Sequence, residues 1–110
     1  MYFSKKQIMD LSQKDWTANQ QAATGSVILD VRTPEEFEAG HIPDAELLDI
    51  RNPQGFMDGL ATLDSSKTYF VYCRSGARSA QACQLMKQQG ISDCYNLLGG
   101  ILDWQGPTTS

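Results

Sequence analysis

Short β-rich runs alternate with helical patterns along this chain, and this alternation limits the fold more than any other feature of the sequence. The apolar run 27–31 and the aromatic and β-branched run 68–72 are typical of buried strands. Shorter strands are predicted at 45–50 and 94–98, and helices at 34–39, around Phe56 to Leu63, at 77–89 and near Trp104. Such alternation indicates an α/β fold, a parallel sheet covered by helices on both faces, with its site at the carboxyl ends of the strands.

The length and composition indicate one domain that needs no membrane span. The 110 residues suffice for a single domain over 1–110, in which we expect residues 105–110 to form a flexible tail. No apolar run approaches the ~18 residues of a spanning helix. Residues 1–8 contain two lysines with no apolar block after them, so we expect no secretory signal there.

Charge is unevenly distributed. The chain carries −4 overall, but the stretch between Asp64 and Asp93 has no acidic residue and carries +4, which leaves −8 for the remainder. An acidic protein with one basic segment is a poor candidate for binding nucleic acid. It is a reasonable candidate for binding a small anion or an acidic partner near that segment.

The three cysteines, Cys73, Cys83 and Cys94, form no Cys-x-x-Cys pair. Their odd number and spacing argue against a disulfide framework and against a zinc site, so we expect no bound metal. Free thiols fit a reducing compartment, and we expect a cytoplasmic protein. Cys83 and Cys94 are most simply buried small side chains. His41 could serve as a base for a thiol only if the fold brought the two together.

The loop 73–79, Cys-Arg-Ser-Gly-Ala-Arg-Ser, combines the features that convert a thiol into a nucleophilic thiolate. Cys73 ends a strand beside the start of a predicted helix, whose first amides lack intrahelical partners. Gly76 allows the backbone to curl into an anion-binding nest, and Arg74 and Arg78 add positive charge. Ser75 and Ser79 could donate to the anion, and we expect at least one of them to cap the helix.

Three separated segments resemble the rhodanese family of sulfurtransferases. The segment Leu29–Phe37 with Gly40–Ala45 resembles the N-terminal signature of that family, and Tyr72–Ala80 resembles its active-site loop. The segment Asn96–Ile101, followed by Trp104, resembles its C-terminal signature. The matches extend from residue 27 to residue 104, and their order strengthens a signal that no single motif carries.

The resemblance implies a five-stranded parallel sheet flanked by helices. It implies that Cys73 takes a sulfane sulfur from a donor such as thiosulfate and passes it to a thiol or to cyanide, with no cofactor. The backbone of 74–79, that is Arg74, Ser75, Gly76, Ala77, Arg78 and Ser79, would then bind the persulfide. Arg78 matches a position associated with anionic donors. Asp30 and Arg32 match a supporting pair, and His41 matches a residue that shapes a turn.

Two other functions remain open from the sequence. Phosphatases and arsenate reductases of the same fold place five residues between cysteine and arginine, whereas four separate Cys73 from Arg78 here. The narrower loop fits one additional sulfur better than a tetrahedral oxyanion. A module that carries sulfur to a protein partner, or regulates one, is the other alternative, although inactive versions of the fold usually lack the cysteine.

Overall fold

A computed structural model describes residues 9–110; the N-terminal segment 1–8, where no secretory signal is expected, lies outside the described residues. Five strands alternate with four helices. The strands are β1 Asp10–Leu11, β2 Val27–Asp30, β3 Glu46–Leu47, β4 Tyr69–Tyr72 and β5 Cys94–Leu97. The helices are α1 Gln13–Ala22, α2 Pro34–Ala39, α3 Pro53–Thr62 and α4 Ala77–Gln88, followed by a 3-10 helix Ile101–Asp103.

The five strands form one parallel sheet in the order β1-β5-β4-β2-β3. This confirms the predicted α/β class and the five-stranded parallel sheet. The central strand is β4, whose four residues are all buried. Because β4 is central and parallel to its neighbours, the residue that follows it lies at the middle of the sheet's carboxyl edge.

Alternate side chains of β4 divide the core into two layers. Tyr69 and Val71 pack with α3 and α4 on one face, and Phe70 and Tyr72 pack with Trp16 of α1 on the other. Trp16 is 1% exposed and meets Phe70 edge to face. Side chains of a strand alternate between faces, so a fully apolar strand is expected where both faces are covered.

Local chemistry explains where α2 begins and ends. Thr33 accepts a hydrogen bond from the Glu36 amide, and the Glu36 carboxylate accepts one from the Thr33 amide, which together form a capping box. Pro34 occupies the first turn, where its missing N–H costs nothing. The helix begins and ends at the predicted residues.

Three parts of the fold differ from the sequence expectations. The elements β1 and α1 precede the first predicted strand, and β3 is only two residues long where a strand over 45–50 was expected. Residues 105–110 also fold back, since Thr109 and His41 exchange two backbone hydrogen bonds of 2.8 Å. The chain end is therefore tied to the turn before β3 instead of fraying from Gln105 onward.

Candidate active site

Cys73 directly follows β4, and its side chain is 1% exposed at the carboxyl edge of the sheet. Its sulfur accepts a hydrogen bond from the Gly76 amide at 3.1 Å, and the Ser79 hydroxyl lies 3.3 Å from it. Both donors belong to the loop or to the first turn of α4. The structure therefore joins Cys73 to its loop in the way that a cradle for a sulfur anion requires.

Gly76 is the residue that turns the loop around the sulfur. Its φ of 108° is a conformation that side-chain-bearing residues rarely adopt. It is also the N-cap of α4, and no side chain caps this helix. The expectation that Ser75 or Ser79 caps α4 is therefore wrong. The free end of the helix instead faces Cys73, and the Ser79 hydroxyl turns inward toward the sulfur.

Two opposed effects act on the pKa of Cys73. Burial alone raises it, because a thiolate loses hydration. Hydrogen bonds from the Ser79 hydroxyl and from the amides of Ser79, Gly76 and Ser75 outweigh burial and hold the pKa below its ordinary value. The arrangement therefore favours the thiolate, which is the nucleophilic form of cysteine.

A buried polar chain extends from Ser79 to the edge of the sheet. The Ser79 hydroxyl makes a short contact with Oδ1 of Asn96, and both residues are at most 1% exposed. The Asn96 amide nitrogen donates to Oδ1 of Asp10 at 2.9 Å and to the Gly76 carbonyl at 3.2 Å. Asn96 was not predicted as a site residue beyond its place in the C-terminal signature. The available signal was one amide side chain within an otherwise apolar strand.

The two arginines of the loop have different surroundings. Arg78 forms a two-pronged ion pair with Glu36 of α2, with N–O distances of 2.9 and 3.0 Å. The hydrogen bond from Arg78 lowers the pKa of Glu36 to about 2. The pKa of Arg78 is raised, first by hydrogen bonding to Glu36 and further by the negative charges of Glu36 and Cys73. Arg74, by contrast, is exposed.

The glycine pair of the C-terminal signature packs against the start of the loop. The amides of Ile101 and Leu102 donate to the carbonyls of Cys73 and Arg74 at 3.0 and 3.1 Å. A Cβ on Gly100 would collide with these same carbonyl groups, so the approach requires glycine. The signature thus fixes the backbone that leads out of Cys73.

Asp30 and Arg32 form a buried ion pair. The closest N–O distance between them is 2.6 Å, and Arg32 also donates to the Gly40 carbonyl at 2.8 Å. The Tyr72 hydroxyl donates to Asp30 at 2.7 Å and accepts from the Ile42 amide at 3.0 Å. The pair therefore anchors residues 40–42 to the sheet, which supports a structural role.

The remaining titratable candidates have other partners. His41 stacks on Phe37 with ring centroids 3.7 Å apart, and its Nδ1 lies 2.9 Å from the Phe37 carbonyl. Cys83 and Cys94 are buried in the core, and contact with Cys94 together with burial raises the pKa of Cys83. These observations place His41 in the turn before β3, and the raised pKa of Cys83 favours its protonated thiol.

Residues 9–110 contain neither a membrane-spanning helix nor a cluster of metal ligands. None of the helices in this range has the length and apolarity to cross a membrane. The same residues contain no group of three or more histidine, cysteine, aspartate or glutamate side chains placed to hold a metal ion.

Comparison with known proteins assigns the family. The model of the rhodanese-like domain matches residues 13–107. A sulfurtransferase of Allochromatium vinosum is 40% identical over 83 residues, covering 71% of this chain and 70% of the relative. The thiosulfate sulfurtransferase GlpE of Pseudomonas syringae is 37% identical over 81 residues, covering 74% of each chain.

A solved structure agrees with these relatives. The crystal structure of a rhodanese-related protein from Thermoplasma volcanium superposes with a TM-score of 0.77 at 28% identity and covers 91% of this chain and 96% of the other. The chain belongs to the rhodanese-like family. Its relatives support sulfurtransferase activity, and its single predicted nucleophile lies where the loop geometry concentrates hydrogen-bond donors.

Proposed function

We propose that Cys73 takes the sulfane sulfur of a small anionic donor such as thiosulfate and transfers it to a thiol or to cyanide. In the first step the Cys73 thiolate attacks the outer sulfur of thiosulfate. A new S–S bond forms, the S–S bond of the donor breaks, and sulfite leaves with the bonding electron pair. In the second step cyanide attacks the outer sulfur of the persulfide anion, which releases thiocyanate and restores the thiolate.

The position of the Cys73 sulfur, 3.1 Å from the Gly76 amide and 3.3 Å from the Ser79 hydroxyl, is the observation that carries this proposal. These donors stabilise the attacking thiolate, and the loop amides around them suit the persulfide anion that replaces it. Arg74 to Ser79 are accordingly the proposed binding residues, with Arg74 as the exposed cation that meets an incoming anion.

Sulfur transfer is favoured over phosphoryl transfer by the size and charge of the loop. Four residues separate Cys73 from Arg78, and the Arg78 guanidinium is already bound by the carboxylate of Glu36. A phosphate group needs several donors directed at its oxygens, including a free guanidinium. One additional sulfur needs only the few donors that surround Cys73.

The proposed setting is a reducing compartment such as the cytoplasm, because Cys73, Cys83 and Cys94 are all free thiols. The proposed partners are small donors and acceptors, and a protein thiol is a further proposed acceptor. We propose no cofactor, since each step exchanges one S–S bond for another S–S or S–C bond.

The direct test is mass spectrometry after treatment with thiosulfate. We expect a gain of about 32 Da, one sulfur, on the peptide that contains Cys73. Cys73→Ser should abolish both this gain and thiocyanate formation, whereas Cys83→Ala serves as a matched control and should retain both. Sulfur found only on Cys83 or Cys94, or full activity of Cys73→Ser, would refute the assignment.

A second measurement distinguishes an enzyme from a carrier module. Turnover with cyanide and small thiols is compared with transfer to protein thiols, each starting from the Cys73 persulfide with thiosulfate present in excess to reload it. Multiple turnovers with small acceptors support the sulfurtransferase. A persulfide that forms but reacts only with a protein thiol indicates a carrier.

A further inference from the structure

Asp10 of the edge strand β1 lies opposite Asn96 of β5 in the register of the sheet. The Asn96 amide nitrogen donates to Oδ1 of Asp10 at 2.9 Å, and Asn96 is 1% exposed whereas Asp10 is exposed. A carboxylate at the surface is therefore bonded directly to the buried chain that ends at the Cys73 sulfur. The proposed chemistry gives Asp10 no role.

The Asn96 side chain has different partners at its two polar atoms. Its nitrogen donates to Asp10 and to the Gly76 carbonyl, and its oxygen accepts from the Ser79 hydroxyl. An ionised carboxylate can only accept hydrogen bonds, so Asp10 holds the amide nitrogen on its own side. Bonds to an ionised group are stronger than neutral ones, and bonds in a chain polarise one another. The charge of Asp10 therefore makes the Asn96 oxygen a stronger acceptor for the Ser79 proton.

The Ser79 proton has a different best acceptor in the two states of Cys73. In the thiolate, the sulfur that lies 3.3 Å from the hydroxyl carries the negative charge and attracts the proton. In the persulfide, the charge is on the added outer sulfur, and the inner sulfur is neutral and a weak acceptor. The proton then stays with Asn96. Asp10 stabilises this second arrangement, since it strengthens the bond with which the thiolate has to compete.

We propose that Asp10 is a positioning residue that acts through Asn96 and Ser79 and shifts the sulfur-loading equilibrium of Cys73 from the thiolate toward the persulfide. The inference rests on the proposed sulfur transfer and adds a residue that sets its balance. In loading, the thiolate and thiosulfate exchange one S–S bond for another, and sulfite leaves with the electron pair. Atoms and charge balance in both directions, so the equilibrium can be approached from either side.

The test measures the ratio of persulfide to thiolate at equilibrium in mixtures of thiosulfate and sulfite, with the loaded fraction read by intact mass spectrometry. The pH is set where Cys73 is fully ionised in each variant, as determined from its alkylation by iodoacetamide. Asp10→Asn retains the shape and an acceptor and removes the charge. We expect it to lower the ratio about twofold, since cooperativity passes on only part of a charged hydrogen bond. Both states carry one negative charge on sulfur, so the direct field of Asp10 largely cancels in this ratio.

Three comparisons isolate the hydrogen-bonded chain. In the Ser79→Ala background, Asp10→Asn should leave the loading ratio unchanged, because the hydroxyl that transmits its effect is absent. Asp93→Asn removes the same charge from an exposed position directly before β5, at the opposite edge of the sheet, and should also leave the ratio unchanged. Asp10→Ala removes the charge and the acceptor together and should lower the ratio at least as much as Asp10→Asn.

The rate of alkylation tests the same chain without sulfur transfer. The protonated thiol of Cys73, like the persulfide, leaves the Ser79 proton with Asn96, so Asp10 opposes ionisation. At a pH below the pKa of Cys73, Asp10→Asn should therefore speed alkylation about twofold. The gain should be smaller in the Ser79→Ala background, where only the direct field of the charge remains.

Failure of this inference is distinguishable from failure of the proposed function. An unchanged loading ratio in Asp10→Asn, an equal change in Asp93→Asn, or a change that persists in Ser79→Ala overturns the inference, while loading itself still supports sulfur transfer. A fall seen only in Asp10→Ala assigns Asp10 a structural role and overturns it as well.

Alkylation decides where loading cannot be measured. If wild type takes up no sulfur, the proposed function fails; if only Ser79→Ala takes up none, the function stands. In either case a larger gain from Asp10→Asn in the wild-type background than in Ser79→Ala supports the positioning role. An equal gain in both backgrounds, or no gain, overturns it.

Discussion

Ser79 and Asn96 should have opposite effects on the reactivity of Cys73, although both belong to one hydrogen-bonded chain. A serine hydroxyl carries a single proton. Three acceptors compete for it here: the Cys73 sulfur and the Gly76 carbonyl, each at 3.3 Å, and Oδ1 of Asn96, which makes the shortest contact. The Asn96 amide nitrogen already donates to Asp10 and Gly76, so its oxygen is the atom that faces Ser79. The thiolate must therefore draw the proton away from Asn96.

The magnitudes follow from the two hydrogen bonds. A hydrogen bond to a charged group contributes about 1.5–3 kcal/mol, and the competition with Asn96 places Ser79 at the lower end of this range. Ser79→Ala should therefore reduce the thiolate population about tenfold at a pH well below the pKa of Cys73. A hydrogen bond between neutral groups, such as that from the Ser79 hydroxyl to Asn96, contributes about 1 kcal/mol. Its removal in Asn96→Ala should therefore increase the thiolate population of Cys73 about fivefold. The double variant should resemble Ser79→Ala, because the other contact of Asn96 with the loop is to the Gly76 carbonyl, which is not a donor to the Cys73 sulfur.

The assay is the rate of alkylation of Cys73 by iodoacetamide as a function of pH, read by mass spectrometry of the Cys73 peptide. At the high-pH limit all of Cys73 is thiolate, so the limiting rate reports only the intrinsic nucleophilicity, which falls as the pKa falls. Differences that appear only at lower pH then report the thiolate population. Asn96→Val, which suits a strand, checks that the effect does not depend on the cavity left by alanine.

Two results would refute the reasoning. If Asn96→Ala and Asn96→Val both slow alkylation as Ser79→Ala does, Asn96 supports the loop structurally and does not compete for the proton. If Asn96→Ala still speeds alkylation in the Ser79→Ala background, its effect does not pass through the hydroxyl. Thermal unfolding of each variant separates these outcomes from general loss of structure.

Three further predictions concern the residues around the loop. Glu36→Gln should release Arg78 and lower the KM for thiosulfate about two- to fivefold, as expected for an accessible ion pair; an unchanged KM would mean that Arg78 does not meet the donor. The stabilisation from the Glu36–Arg78 pair should be complete above about pH 4.5 and lost as the pH falls toward 2, because folding lowers the pKa of Glu36 from 4.5 to about 2. Urea unfolding between pH 5 and 2 should therefore show the free energies of unfolding of wild type and Glu36→Gln converging at low pH. Tyr72→Phe removes one hydrogen bond from the buried Asp30 carboxylate, which keeps its bonds to Arg32, and leaves the Ile42 amide without its partner, so it should cost about 1–3 kcal/mol in urea unfolding with kcat unchanged; a lower kcat at unchanged stability would contradict the structural role of that network.

The sequence predicts strands and helices well wherever the apolar residues form a run or a regular spacing that is long enough to recognise. Strands β2, β4 and β5 and helices α2 and α4 lie within a residue or two of their predicted positions. Helix α1 could not be found in this way, because only one of its residues, Trp16, is buried and the rest give no apolar stripe. Strand β3 is short because its regular pairing with β2 ends at Leu47. The amides of Leu48 and Ile50 still donate to the carbonyls of Asp30 and Val31 before the chain begins α3.

In the candidate site, contacts between residues close in sequence could be predicted, whereas contacts between distant residues could not. The loop itself is local in sequence, so the contacts of Cys73 with Gly76 and Ser79 could be anticipated from glycine, the helix start and the hydroxyl. Glu36 lies 42 residues from Arg78, and Asn96 lies 17 residues from Ser79. Partners at such separations are set by strand order, which no local pattern specifies.

The distant partner Glu36 changes the electrostatic account of the loop. From the sequence, Arg74 and Arg78 supply positive charge to the thiolate, but Glu36 neutralises Arg78 and Arg74 is exposed to solvent. The lowered pKa of Cys73, which burial alone would raise, follows instead from the Ser79 hydroxyl and the loop amides. Hydrogen bonds of this kind keep their strength in salt, whereas contacts with exposed charges weaken. The reactivity of the thiolate should therefore be nearly independent of ionic strength, while the capture of anionic donors that we propose for Arg74 should decline as salt is added.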